Sequence, residues 1–175
     1  MIRAFAVVSA FLCSAPVLAE APPPTYQKIA AAYGVPSEVL FAVARQESNA
    51  RLTIGYYPWP WTLNVDGEGK RFATLPEACA AAIKAIAEKG RYKVDIGIAQ
   101  LNWGWNGARF FASPCDSLDP IRNLQVAASL LRGHYNDSGS WIEAIGRYHH
   151  PKGGAPAEKY KKLVAKHLER ISIAR

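Results

Sequence analysis

Residues 39–49 read Val-Leu-Phe-Ala-Val-Ala-Arg-Gln-Glu-Ser-Asn. Val39, Leu40, Val43 and Ala44 recur at the three- and four-residue spacing of one helix face. Glu47 follows Val43 by four and Ala44 by three, so it extends the apolar stripe, and Arg45 and Gln46 fall on the opposite, polar face. A carboxylate brought onto an apolar face at the C-terminal end of a helix meets two effects that raise its pKa. Burial disfavours the charged form, and the helix dipole is negative at that end. Both favour a glutamic acid that keeps its proton near neutral pH, as a general acid must. The plainer alternative is a half-exposed glutamate where the helix frays.

The chain around this helix has 175 residues, half of them apolar, enough for one domain with a substantial core. Its start reads as an export signal over residues 1–19. Met1-Ile2-Arg3 is a short basic region, Ala4–Leu12 an apolar run too short to span a bilayer, and Val17-Leu18-Ala19 a small-residue cleavage site. Cys13 lies within that signal; lipidation there is the less favoured reading. Residues 20–24 form a proline-containing spacer, and the domain is expected over 25–175. The expected location is the periplasm. Cys79 and Cys115 then sit in an oxidising compartment, where a disulfide would close a loop of about 37 residues and add roughly 3–4 kcal/mol. The alternative is a pair of buried thiols. The formal net charge of +7 draws the protein to polyanions. No nucleic-acid motif is present, so an acidic wall polymer or membrane surface suits it better. No stable membrane insertion, cofactor or metal ion is expected, since His149-His150 has no further ligand at suitable spacing.

In chain order, Tyr26–Tyr33 predicts a short helix stopped by Gly34, and Pro36-Ser37 opens the next one. Tyr56-Tyr57-Pro58-Trp59-Pro60-Trp61 carries too many prolines for helix or central strand. Trp59 and Trp61 are candidates either for a local core or for stacking on sugar rings. Thr62–Val65 and Lys70–Ala73, flanking Asp66-Gly67-Glu68-Gly69, predict a small β-hairpin. Helices are predicted over Pro76–Lys89, Pro120–Tyr135, Trp141–Tyr148 and Ala157–Ile171, with Trp105–Cys115 irregular or briefly helical. The lysines of the last helix read as a solvated face. The fold class is therefore mainly α, a single α+β domain with a small β-hairpin.

Three separated segments carry polar groups where a core face or tight turn is expected: Gln46-Glu47-Ser48, Gly97–Asn102 and Gly146-Arg147-Tyr148-His149. In this order and spacing they resemble the goose-lysozyme-like lytic transglycosylases of the soluble-lytic-transglycosylase branch. Glu47-Ser48 matches that family's Glu-Ser motif. Asp95-Ile96-Gly97-Ile98-Ala99-Gln100-Leu101-Asn102 is similar to its Gly-Leu-Met-Gln-Ile-Asn motif, with Ala99 in place of Met. Ala144–His149 occupies the position of its Ala-Tyr-Asn-Ala-Gly motif. The Trp59–Val65 insertion and the Gly-Arg-Tyr-His run most resemble transglycosylases of conjugative plasmids and integrative elements. The resemblance covers roughly residues 25–165 and implies a lysozyme-like fold and the cleavage of peptidoglycan glycan strands. It implies Glu47 as the catalytic acid and base, with Ser48 and Tyr148 supporting it. Gly97, Gln100, Asn102, Trp59, Trp61 and His149 are the candidate substrate-binding residues. A secretion or conjugation complex is the implied partner. Ordinary hydrolysis needs a second carboxylate. Asp95 is the one acid placed to supply it, which leaves a lysozyme-type muramidase open beside the transglycosylase. A non-catalytic peptidoglycan-binding assembly protein is the alternative of a different class.

Overall fold

The computed structural model describes residues 20–53 and 55–172. The expected export signal over 1–19 lies outside the described residues. Helix α1 (Pro24–Tyr33) is opened by Pro24 at its first turn and ends on Gly34, whose φ of 63° closes it in the left-handed conformation. Pro24 thus belongs to the helix and not to the spacer. Helix α2 (Ser37–Ser48) follows after three residues, with Pro36 at its cap position and Ser37 already helical.

Helix α2 departs from the amphipathic pattern expected of it. Every residue from Val39 through Arg45 is buried. It is a central helix enclosed by α1, α5 (Pro120–Ser138), α6 (Trp141–His149) and α7 (Ala155–Ser172). Arg45, expected on a wet face, is 4 % exposed and pairs with Glu20, at the start of the described chain. A helix apolar on most sides has no solvent face to give its arginine, so a segment from outside the bundle covers it.

After α2 the chain forms two small sheets. Strands β1 (Asn49–Leu52) and β2 (Gly55–Pro58) make an antiparallel pair that sequence reading left irregular. A two-stranded ribbon leaves one side of each strand unpaired, and that is where proline is tolerated. The second sheet has the order β4-β3-β5-β6, all antiparallel, from β3 (Thr62–Val65), β4 (Glu68–Arg71), β5 (Val94–Ile96) and β6 (Leu101–Asn102). The β3–β4 turn is two residues, not four. Asp66 and Gly67 both take positive φ, 54° and 93°, so Val65 pairs directly with Glu68. Helix α3 (Leu75–Lys89) covers this sheet and starts on a reciprocal capping box between Thr74 and Glu77.

Leu63, Val65, Val94, Ile96 and Leu118 pack with Ala78, Ala82 and Ala85 of α3 into a second core beside the helical one. Cys79 of α3 and Cys115 form the expected disulfide, with Cα atoms 4.8 Å apart. Cys115 follows a π-helical turn, Trp103–Gly107, and the single turn α4 (Ala108–Phe110). The chain is thus a mainly α, α+β single domain. Among the described residues no helix is long and apolar enough to cross a membrane.

Candidate active site

Glu47 leaves the last turn of α2 half-buried. It lines a cavity of about 570 Å3 with Gln46, with His149 at the end of α6, and with Ala155, Pro156, Lys159, Tyr160 and Leu163 of α7. The Tyr160 hydroxyl donates to Glu47 Oε1 at 2.5 Å. The His149 ring lies flat on Tyr160, with centroids 4.6 Å apart and planes within 2°. Burial pushes the Glu47 carboxyl up to about 8; the Tyr160 hydrogen bond opposes that rise and the negative charge of Asp95 adds to it. Tyr160 is itself raised well above the usual tyrosine range, by burial and by the adjacent Glu47 charge, so it remains a donor. Burial and His150 lower His149, which keeps its ring neutral at pH 7.

Tyr160 is the site residue that sequence reading missed. It falls within the last predicted helix, Ala157–Ile171, where sequence alone assigns it no role. The usable signal was its hydroxyl: a buried tyrosine needs an acceptor, and Glu47 was the carboxylate led onto an apolar face.

The second segment lies behind the first. Ser48 is fully buried, and its hydroxyl donates to Ile98 O at 2.6 Å. It therefore fixes α2 to the 97–100 turn, and its hydroxyl makes no hydrogen bond to Glu47. Tyr148 donates to Ala99 O at 2.7 Å, and the charges of Glu47 and Asp95 reinforce burial in raising its pKa. Its hydroxyl oxygen retains acceptor capacity near Glu47. Ala99, which stands in place of the family's Met, is fully buried in the helical core.

The turn itself holds three of the candidate substrate-binding residues, Gly97, Gln100 and Asn102. Gly97 has φ 88°, and a Cβ there would lie 2.4 Å from Asn123 Nδ2 and 2.8 Å from Ser117 O. This glycine leaves room for the buried Asn123 side chain. Asn123 uses that space to accept from Ala99 N and donate to Ile96 O and Ser117 O. It is a polar residue on the apolar stripe of α5, four before Ala127, and sequence reading passed over it. Gln100 directs its amide nitrogen to Thr62 O and Gly97 O at 2.9 and 2.7 Å. Asn102 donates to Tyr92 O and Asp95 Oδ1 and accepts from Gly104 N and Trp105 N, so both ends of its amide are spent inside the chain.

The Trp59 backbone N–H donates to Ser48 O at 3.0 Å, one residue from Glu47, but neither Trp59 nor Trp61 lines the Glu47 cavity. Their rings meet edge to face, 5.5 Å apart, and Trp59 Nε1 donates to Phe72 O. Trp61 packs on the second core and lines a separate cavity of about 390 Å3 beside Cys115, Asp119 and Arg122. Asp95, on β5, is within electrostatic reach of both Glu47 and Tyr148. Burial raises its own pKa, and the Asn102 hydrogen bond partly offsets the rise. No cluster of His, Cys, Asp and Glu side chains suited to a metal ion occurs among the described residues.

Of the predicted site residues, the structure thus brings Glu47 and His149 into one cavity. Ser48 and Tyr148 lie directly behind them, and Gly97, Gln100 and Asn102 are spent on the supporting turn. Comparison of the chain with protein-family models, with curated proteins and with solved structures found no match.

Proposed function

We propose that the protein is a peptidoglycan lytic transglycosylase. The observation that carries this reading is Glu47: a carboxyl held protonated near neutral pH, hydrogen-bonded by Tyr160, at the wall of a cavity large enough for sugar rings. In the proposed reaction Glu47 gives its proton to the glycosidic oxygen between N-acetylmuramic acid and N-acetylglucosamine, and the bond from C1 to that oxygen breaks. The carboxylate left behind removes the proton of the muramic 6-hydroxyl, whose oxygen closes onto C1. The product is a 1,6-anhydro end; Glu47 finishes protonated and no water is consumed. Tyr160 steadies the carboxylate between the two transfers, since a hydroxyl donor favours the charged form. The substrate's own acetamido group supplies the nucleophilic assistance that a second carboxylate gives in retaining hydrolases.

One observation favours a second reading. The Asp95 charge is felt at Glu47, which is the pairing that a lysozyme-type muramidase needs. Mass analysis of the muropeptides from digested peptidoglycan separates the two. Anhydro products that fall by about 10²–10⁴-fold in Glu47→Gln support the transglycosylase, whereas reducing-end products support the hydrolase. Wall binding without any products leaves the non-catalytic assembly protein. The export signal and the cationic chain suit a periplasmic enzyme on an anionic wall. The Trp59–Val65 insertion suits local wall opening for a conjugation or secretion complex.

A further inference from the structure

We propose that the exposed face of α7 is a docking track for a polyanionic strand, and that it selects glycan whose peptides are still attached. The identity of the strand rests on the function proposed above; the track itself does not. Lys159 lines the cavity that holds Glu47. Leu163, also in that lining, Lys166 and Arg170 follow at four, seven and eleven residues, which is one face of a helix, and Lys162 lies beside Lys166. From Lys159 to Arg170 the face runs about 16 Å.

All four cations are exposed, and none forms an ion pair among the described residues. The contrast with Lys161, on another face of the same helix, is direct. Lys161 is buried and held by Glu143 and Glu158 at 2.6 and 2.7 Å. Glu158 is thereby spent, and Glu169, the other carboxylate of α7, forms no ion pair with the four. Lys162 and Lys166, and Lys166 and Arg170, are four apart, where like charges repel along a helix. Among the described residues no carboxylate pairs with these four cations, so the face is open to an anion from outside. Continuity identifies it: Lys159 belongs to the track and to the cavity at once, so a strand bound at Glu47 passes onto α7. Sugar rings are largely uncharged there, and the carboxylates of such a strand are those of its peptides.

The test applies the whole protein carrying Glu47→Gln, so that strands stay intact, to two immobilised wall preparations: peptide-bearing glycan strands, and strands stripped by an amidase whose freed lactyl carboxylates are then capped as amides. Binding to the peptide-bearing wall should be roughly tenfold tighter at low ionic strength, and the margin should vanish near 0.5 M salt, about where screening removes exposed-charge attraction. Replacing Lys162, Lys166 and Arg170 together by alanine keeps the cavity and should remove most of the margin, with an unchanged melting temperature. Equal binding to the two walls overturns the proposal. So does a margin that survives in the triple variant, or retention by anionic phospholipid vesicles without any preference between walls. The anhydro-product assay on the unsubstituted protein is read separately: a binding margin without products sinks the enzyme and leaves the track standing.

Discussion

The two walls of the site treat polar side chains in opposite ways. Around the 97–102 turn, polar side chains bond within the protein: Asn102 at both ends, Gln100 through its nitrogen, Ser48 of α2 on Ile98, and Asn123 of α5 threaded through the space that Gly97 leaves. On the α2–α7 wall, Glu47 accepts one hydrogen bond from Tyr160 and otherwise faces a cavity, at a pKa far from its ordinary value. The lesson is a division of labour. The turn is tied down by hydrogen bonds within the chain, and the proposed chemistry sits where such satisfaction is withheld.

The largest expected effect tests the scaffold side. Gly97→Ala combines a side chain at φ 88° with backbone and amide atoms under 3 Å from the new Cβ. Strain and overpacking together should cost about 3 kcal/mol or more, read as a drop in Tm of roughly 6–12 °C. Activity should fall only in proportion to the unfolded fraction. A variant that melts normally yet no longer turns over wall would mean that the turn touches substrate, and the division would be broken.

Next comes Tyr160→Phe, on the reactive side. The ring and its stack on His149 are kept; the proton donated to Glu47 is lost. That hydrogen bond lowers the Glu47 pKa, so its removal lets burial raise the carboxyl further. The alkaline limb of kcat/KM should move to higher pH while the maximum falls about 10–100-fold, because the carboxylate form needed for the second proton transfer is less stable. A lower maximum with an unmoved limb would make Tyr160 a packing residue only.

How much of this was readable in the sequence differs between the walls for a physical reason. Periodicity and caps located α1, α3, α5, α6 and α7, and the carboxylate on the apolar stripe located Glu47, because these are local signals. The roles of Gly97, Gln100 and Asn102 could not be separated that way. The amide that binds a sugar and the amide that ties a loop are the same group, and only the partners distinguish them. Tyr160 lies 113 residues from Glu47, so its contact is a product of packing α7 over α2. The misjudged face of α2 has the same origin: Arg45 reads as a solvent-facing residue until Glu20 arrives from outside the helix.

The smallest expected effect, on stability and not on rate, completes the contrast. A carboxyl whose folded pKa is near 8 holds a proton that the unfolded chain has released once the pH passes about 4.5. Between those values the folded state binds more protons, so stability falls as pH rises through the window and levels off above it. Glu47→Gln keeps an acceptor for Tyr160 and removes the titration. It should therefore match the unsubstituted protein near pH 4 and exceed it by about 1–3 kcal/mol near pH 8, measured as urea midpoints at the two pH values. The figure is held below the full linkage value because Glu47 is only half-buried and water in the cavity relieves part of the charge. The scaffold wall gives no such dependence: Asn123→Ala should cost similar stability at both pH values, since its hydrogen bonds join uncharged groups. A pH-independent gap for Glu47→Gln would mean that Glu47 is solvated in the folded protein, and the withheld satisfaction that sets its wall apart would be gone.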